Sequence, residues 1–126
     1  DAKVLIMDEP TAGLDPKGRD EILDDISALH RDRHMTIILV SHSMEDIARY
    51  ADRIMVMNHG EKVFDAPPKE VFRHYKELEA IGLAAPQITY IVQGLKEHGV
   101  PIADDITTVA EAKDAILQLL GKDERP

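Results

Sequence analysis

The sequence of 126 residues contains no cysteine, and its aromatic content is only 4%. Without cysteine, a disulfide framework and a thiolate metal site are both excluded, as is usual for a protein of a reducing compartment. The shortage of aromatic residues leaves no stacking platform for single-stranded nucleic acid. No apolar run approaches the roughly 18 residues of a membrane span. We therefore expect no direct membrane insertion and expect any membrane association to go through a partner.

Positive charge is also scarce, because 15 basic residues face 24 acidic ones and the formal net charge is -9. A negative field opposes nonspecific binding to nucleic acid. It does not oppose ATP, since nucleotide sites use local backbone donors and a metal ion. We predict no nucleic-acid partner.

The first 40 residues have the pattern of a strand, a helix and a second strand. The apolar run from Val4 to Met7 ends in acids, which is typical of a parallel strand covered on both faces. Asp15-Pro16 offers an N-cap followed by proline at the first helical position, and apolar residues recur at helical spacing to about Arg33. The β-branched run from Thr36 to Val40 is a second buried strand. Together these segments predict a right-handed βαβ unit.

The remaining sequence predicts a β-hairpin and then helices. Arg53–Met57 and Lys62–Asp65 are strand-like runs on either side of turn residues, and the character is helical beyond about Tyr75. Predicted helices run from Ser43 to about Ala51, from Lys69 to His74, after Pro86, and after a cap at Thr107 or Thr108. The fold class is therefore α/β, a parallel sheet and a hairpin followed by a small helical C-terminal extension.

Two adjacent acids, Asp8 and Glu9, follow the first strand. Open α/β sheets bind ligands at the C-terminal ends of their strands. Adjacent side chains of a strand point in opposite directions, so the two acids should do different things: one can orient Mg²⁺ and its waters, and the other can polarise a water that attacks a γ-phosphate. An Asp-Glu pair alone is more often a pair of solvated acids at a strand end.

A histidine, His42, follows the second strand. If both strands belong to one sheet, His42 and Glu9 emerge at the same edge, where an imidazole could bond a phosphate oxygen. A histidine after a strand is in general more often a capping or surface residue. The other histidines show no ligand spacing for zinc, and we interpret them as surface or structural residues: His30, His34, His59, His74 and His98.

The segment from Val4 to Pro16 resembles the Walker B motif and D-loop of ABC ATPases: an apolar run, Asp-Glu-Pro, and a small-residue stretch that ends in Leu-Asp. Residues 37–42, followed by Met44-Glu45-Asp46, are similar to the switch-histidine loop of the same family, and the order of the two motifs is that of the family. The resemblance implies part of a P-loop NTPase sheet, with ATP and Mg²⁺ as cofactors.

The resemblance also implies a role for each site residue. Asp8 would serve the Mg²⁺ shell through water, and Glu9 would be the catalytic base. His42 would be the switch histidine, a second catalytic residue. Asp15 would lie in the D-loop, which in the family crosses to the partner ATPase, and Ser41 would lie at the nucleotide.

Three motifs that precede Walker B in this family are absent from the sequence: the G-x-x-x-x-G-K-[ST] loop, the Gln-bearing loop and the Ser-Gly-Gly signature. The chain opens with Asp1-Ala2-Lys3, directly before the first strand. We therefore expect the C-terminal part of a longer subunit. Without the phosphate loop's backbone donors and lysine, tight ATP binding by this chain alone is not expected.

The residues after Tyr75 are similar to the tail of energy-coupling-factor ATPases, in Leu83, Pro86, Leu95, Gly99-Val100-Pro101 and a final Thr-x-x-Glu helix. Such subunits drive vitamin and metal-ion uptake. The resemblance implies a second ATPase subunit, in a homo- or heterodimer, and a transmembrane coupling protein as partners, at the cytoplasmic face of the membrane. It divides the chain into residues 1–74, part of the nucleotide-binding domain, and residues 75–126, a possible dimerisation region.

The sequence thus predicts an ATPase subunit of an ABC-type importer, active within its full-length chain. The alternative is a non-catalytic module that serves association through its helical tail, since the phosphate loop is absent. A third class, the chromosome-organising and DNA-repair ATPases, usually differs after the Walker B acids and is disfavoured by the acidic charge.

Overall fold

The computed structural model describes residues 3–121. The chain divides into two compact units, one that ends at Ser43 and one that begins at Met44. Within residues 3–121, no helix is both long enough and apolar enough to cross a membrane.

The first unit consists of strand β1 (Val4–Asp8), helix α1 (Pro16–Arg33) and strand β2 (Thr36–Val40). The two strands pair in parallel, so the predicted βαβ arrangement is confirmed. Helix α1 begins as predicted, because the Asp15 side chain accepts a hydrogen bond from the backbone N–H of Gly18 at 2.8 Å and proline occupies the first helical position. A cap of this kind stabilises a helix by about 1 kcal/mol.

The prediction that β1 is covered on both faces is wrong for the described residues. Leu5 and Met7 are half-buried, whereas Val4 and Ile6 on the opposite face are 51% and 67% exposed. Ile38 and Val40 of β2 lie exposed in the same alternation. Within this unit one helix accompanies two strands, and a single crossover helix covers a single sheet face. A continuous apolar run identifies the strand but does not specify what covers it.

The second unit begins with a short helix and a hairpin: α2 (Met44–Tyr50), β3 (Ile54–Asn58) and β4 (Glu61–Ala66). The strands pair antiparallel, with a register shift between Val56 and Met57. His59 and Gly60 at the turn both have positive φ, 49° and 77°. Two positive φ values in a two-residue loop match the twist of hairpin strands. The predicted hairpin is confirmed.

Helices follow the hairpin, as predicted: α3 (Pro68–Arg73), α4 (Tyr75–Ala80), α5 (Gln87–Glu97) and α6 (Val109–Leu119). One core cluster lies around the hairpin and a second lies between α5 and α6; their buried members are Ile54, Val56, Val71, Phe72, Leu78 and Ala85 in the first and Val92, Ile102, Ile106 and Ala112 in the second. Since Leu78 and Ala85 share a core with β3, the chain packs continuously across the predicted boundary after residue 74. That boundary, as a division of function, stays a prediction.

A variant of the capping box begins α6, with Thr108 as the N-cap, which resolves the choice between the two threonines. The Thr108 hydroxyl accepts a hydrogen bond from the Glu111 N–H at 3.2 Å. The Glu111 carboxylate in turn accepts from the Thr107 N–H at 3.2 Å and forms an ion pair with Lys69 of α3. This reciprocal pattern satisfies two backbone donors at the helix start, and the ion pair links the tail to α3.

Candidate active site

The site lies at one end of the parallel strand pair. Asp8 and Val40 are register partners, so the last residues of β1 and β2 stand side by side. The pairing continues one step further, because the Glu9 N–H donates to the Val40 carbonyl at 2.8 Å. Residues that follow the two strands therefore emerge together, although α1 separates the strands in sequence.

Glu9 and His42 meet at this edge. The Nδ1 atom of His42 lies 2.6 Å from Oε1 of Glu9, a hydrogen-bond distance. The side chain of His42 is 86% exposed and that of Glu9 is 33% exposed, so both are accessible from solution. The prediction that the acid and the imidazole share one sheet edge is confirmed, while their catalytic roles stay predictions.

The backbone of Glu9 has a left-handed conformation, with φ of 49°. For a residue other than glycine this conformation costs roughly 1–2 kcal/mol. Strain of this kind persists where the surrounding structure imposes it, and it concentrates at functional sites. Here the hydrogen bond to Val40 on one side and a turn on the other, closed by the Ala12 N–H and the Glu9 carbonyl at 3.2 Å, hold the residue.

Asp8 is the last residue of β1, and its side chain is exposed on the same face as Ile6. Among residues 3–121 no group of three or more His, Cys, Asp or Glu side chains could hold a metal ion. A single accessible carboxylate nevertheless fits Mg²⁺, because this ion keeps several waters and takes one or two carboxylates together with phosphate oxygens. Asp8 could therefore serve Mg²⁺ through water, as expected from the sequence.

The structure gives Asp15 and Ser41 local contacts. Asp15 is the N-cap of α1, and the Ser41 hydroxyl accepts a hydrogen bond from the Ser43 N–H at 3.0 Å. The predicted contacts of Asp15 with a partner subunit and of Ser41 with nucleotide stay predictions.

The sequence analysis did not identify one residue that lies near the site. Arg19 of α1 donates from Nη2 to the Ser43 hydroxyl at 2.9 Å. The two residues are 24 positions apart, so no local sequence pattern predicts their contact. The sequence offers one signal for this contact, an arginine in the first turn of the helix of a βαβ unit. That turn begins at the same sheet edge as the loop after β2.

The remaining histidines have the structural surroundings predicted for them. His34 and His59 occupy the C-cap of α1 and the hairpin turn, each with positive φ. The other three bond to a carbonyl or a carboxylate within five residues along the chain: His30 to the Met35 carbonyl, His98 to the Gly94 carbonyl and His74 to Glu77.

Known proteins with similar sequences are ATP-binding subunits. The chain is 55% identical over 118 residues to the energy-coupling factor transporter ATP-binding protein EcfA2 of Clostridium perfringens, a match that covers 94% of this chain and 41% of the relative. Proteins of the same name from Clostridium tetani and Geobacillus kaustophilus are 54% and 46% identical over 119 and 121 residues. The chain thus spans about two fifths of the length of these relatives. No protein-family model matches it.

A solved structure supports the same relationship. The fold is similar to that of cbiO1 from Clostridium perfringens, part of the ABC transporter complex cbiONQ, with a TM-score of 0.54 and 36% identity. The match covers 72% of this chain and 36% of that one. The predicted resemblance to ABC ATPases, and to the energy-coupling-factor type in particular, is therefore confirmed: the chain is a homologue of these ATP-binding proteins.

Proposed function

We propose that this homologue of energy-coupling-factor ATP-binding proteins supplies the water-activating part of an ATPase site that powers an ABC-type importer. The observation that carries the proposal is the hydrogen bond between Glu9 and His42 at the C-terminal edge of the parallel strands. A carboxylate base and an imidazole in direct contact form the kind of pair in which one group removes a proton and the other stabilises charge.

In this proposal Glu9 accepts the proton of the water that attacks the γ-phosphate of ATP. In its imidazolium form His42 carries a proton on both ring nitrogens, so it can donate from Nδ1 to Oε1 of the Glu9 carboxylate and from Nε2 to a phosphate oxygen. Glu9 takes the proton of the water on its other oxygen, Oε2, the resulting hydroxide attacks the phosphorus, and the imidazolium keeps both of its hydrogen bonds. Asp8 would hold Mg²⁺ through water, and the ion when bound neutralises phosphate charge.

We also propose roles for Asp15, Ser41 and the C-terminal helices, and two partner proteins. Asp15 would reach a second ATPase subunit from the D-loop, and Ser41 would contact nucleotide. The other partner would be a transmembrane coupling protein, which places the subunit at the cytoplasmic face of the membrane. Residues 75–126 would contribute to contact between ATPase subunits. The relatives are transporter ATP-binding proteins by name, which supports a nucleotide and a transporter as the binding partners.

A chimera tests the proposal. This chain would replace the matched 118 residues of the Clostridium perfringens protein, and ATP hydrolysis and nucleotide binding would be measured with and without Glu9→Gln. Loss of a general base should lower the turnover rate by about 10²–10⁴-fold while nucleotide binding persists. Glu21→Gln, on the exposed surface of α1, is the matched control and should hydrolyse ATP normally. Unchanged turnover by the Glu9 variant would refute the assignment of the base.

The second candidate function is a non-catalytic association module. It is favoured by apolar side chains that α6 and its C-cap leave exposed, Val109 at 72% and Leu120 at 62%. Calorimetry of the chain itself with MgATP tests our expectation that the chain alone binds ATP weakly, and micromolar binding would contradict that expectation. Light scattering tests the association, and a strict monomer at high concentration would exclude it.

A further inference from the structure

We infer that Arg19 is a positioning residue for the proposed ATPase reaction, and that it acts by holding the turn that presents His42. The inference rests on the proposed function, because it gives Arg19 a role through the histidine and not through a contact with ATP. Arg19 belongs to none of the motifs that carry the resemblance to ABC ATPases.

The turn after β2 is built from two serines that flank the histidine. The Ser43 N–H donates to the Ser41 hydroxyl at 3.0 Å, which closes the turn around His42. The Ser43 hydroxyl accepts from Nη2 of Arg19 at 2.9 Å, in a partly buried position. One serine therefore closes the turn, and the other ties it to helix α1.

The backbone that carries Arg19 is held by hydrogen bonds at the start of α1. Arg19 lies in the first turn of α1, where its own N–H donates to the Asp15 carbonyl at 2.9 Å, and Asp15 caps the helix through Gly18. The guanidinium thus extends from the capped first turn of the helix. A charged donor bonded to a hydroxyl in a partly buried place is stronger than a neutral hydrogen bond.

His42 needs such support because its own side chain is 86% exposed. An exposed imidazole receives little packing from neighbours, so the position of its ring is set by its backbone and by its bond to Glu9. If the backbone turn shifts, the ring moves away from the place where a phosphate oxygen would lie. Misplacement of a reacting group by about 1 Å can cost about 10² in rate.

The expected signature is a loss in kcat with KM nearly unchanged, since no contact with nucleotide is removed. In the chimera described above, Arg19→Ala and Ser43→Ala should each lower kcat by about tenfold or more. The double variant should be no slower than either one, because both changes break the same hydrogen bond. Arg19→Lys should recover part of the rate, since its ammonium group can donate to the hydroxyl. Arg31→Ala, on the exposed end of the same helix, is the matched control and should change nothing.

A second readout does not need catalysis. In the 126-residue chain, amide hydrogen exchange of His42 and Ser43 should accelerate in Arg19→Ala, while exchange within the β1–β2 ladder stays unchanged. The inference would be overturned by unaltered hydrogen exchange at the turn. It would also be overturned by a higher KM with an unchanged kcat, or by additive effects of Arg19→Ala and Ser43→Ala. If the unmodified chimera fails to hydrolyse ATP, the proposed function fails, and the exchange experiment still decides whether Arg19 holds the turn.

Discussion

The imidazole of His42 and the carboxylate of Glu9 meet at 2.6 Å across the ends of adjacent parallel strands, although 33 residues separate them in sequence. The helix between the strands accounts for the separation, and the register of the strands accounts for the meeting. Because the two side chains share a hydrogen bond, neither should act alone: Glu9 sets the orientation of the ring, and the ring limits which way the carboxylate can face.

This contact predicts that Glu9 and His42 are not additive in catalysis. In the chimera, His42→Ala should lower the single-turnover rate by about 10²-fold, and Glu9→Gln by about 10²–10⁴-fold. The double variant should be about as slow as Glu9→Gln, since residues that act as a unit lose their contribution once. Independent roles would appear instead as a product of the two single effects, and that result would contradict the shared mechanism.

The elements that the sequence predicts well are those with local signals. Asp15 and the following proline predict the start of α1, and the sequence Asn58-His59-Gly60 predicts the hairpin turn. The meeting of Glu9 with His42 was predictable on the condition that β1 and β2 are neighbours in one sheet, which holds for about two thirds of consecutive strands.

The parts that escaped prediction depend on contacts across the chain. The apolar run from Val4 to Met7 indicates a strand, but the exposure of Ile6 depends on which elements lie over the sheet, which a single strand's sequence does not encode. The bond from Arg19 to Ser43 joins a helix to a loop, and arginine at a helix surface is otherwise unremarkable. The left-handed backbone of Glu9 likewise has no signal in its residue type, since glutamate does not favour this conformation.

The ion pair between Lys69 and Glu111 predicts a pH dependence of stability. Burial raises the pKa of the Glu111 carboxyl, but hydrogen bonds from Lys69, the Thr107 N–H and Thr108 more than offset this, so the pKa lies below its ordinary value. A lowered folded pKa gives stability that is present above the unfolded value, about 4.3 for glutamate, and is lost as the pH falls through the folded value.

Glu111→Gln keeps an acceptor for the capping box but removes the charge. We expect a loss of about 0.2–1 kcal/mol at pH 7, because the pair is partly exposed, and a weaker loss of stability on acidification than in the unmodified chain. Urea unfolding at several pH values measures both. Glu97→Gln, an exposed acid on α5, is the control. If the two variants show the same acid dependence, Glu111 is not the group responsible.

The core around the hairpin predicts a large cost at Leu78, whose residue surface is 1% exposed. Leu78→Ala should destabilise the chain by about 2–5 kcal/mol, because it removes buried methyl groups and leaves a cavity. Leu120→Ala removes the same atoms from a residue that is 62% exposed and should change stability by only about 0.5 kcal/mol. Urea midpoints compare the two, and equal losses would contradict the burial of α4 against β3 and β4.

Helix α5 offers two glycines at which the same substitution should have opposite effects. Gly94 lies inside the helix, and a Cβ added there would meet no atom within 4 Å apart from its chain neighbours and the backbone of its own helix. Because glycine is the worst ordinary helix former, Gly94→Ala should stabilise the chain by up to about 1 kcal/mol. Gly99 follows the helix with φ of 84°, a conformation that costs alanine roughly 1–2 kcal/mol.

Gly99 cannot relax away from this conformation without loss, because it completes the helix end. Its N–H donates to the Lys96 carbonyl at 2.9 Å, and the Val100 N–H donates to the Leu95 carbonyl at 3.0 Å. These two bonds form a Schellman motif, and Leu95 and Val100 both pack on the core between α5 and α6. Gly99→Ala should therefore lower the urea midpoint while Gly94→Ala raises it. If both variants raised the urea midpoint, residue 99 would not have the left-handed conformation at the end of α5. Only that conformation makes alanine unfavourable at residue 99.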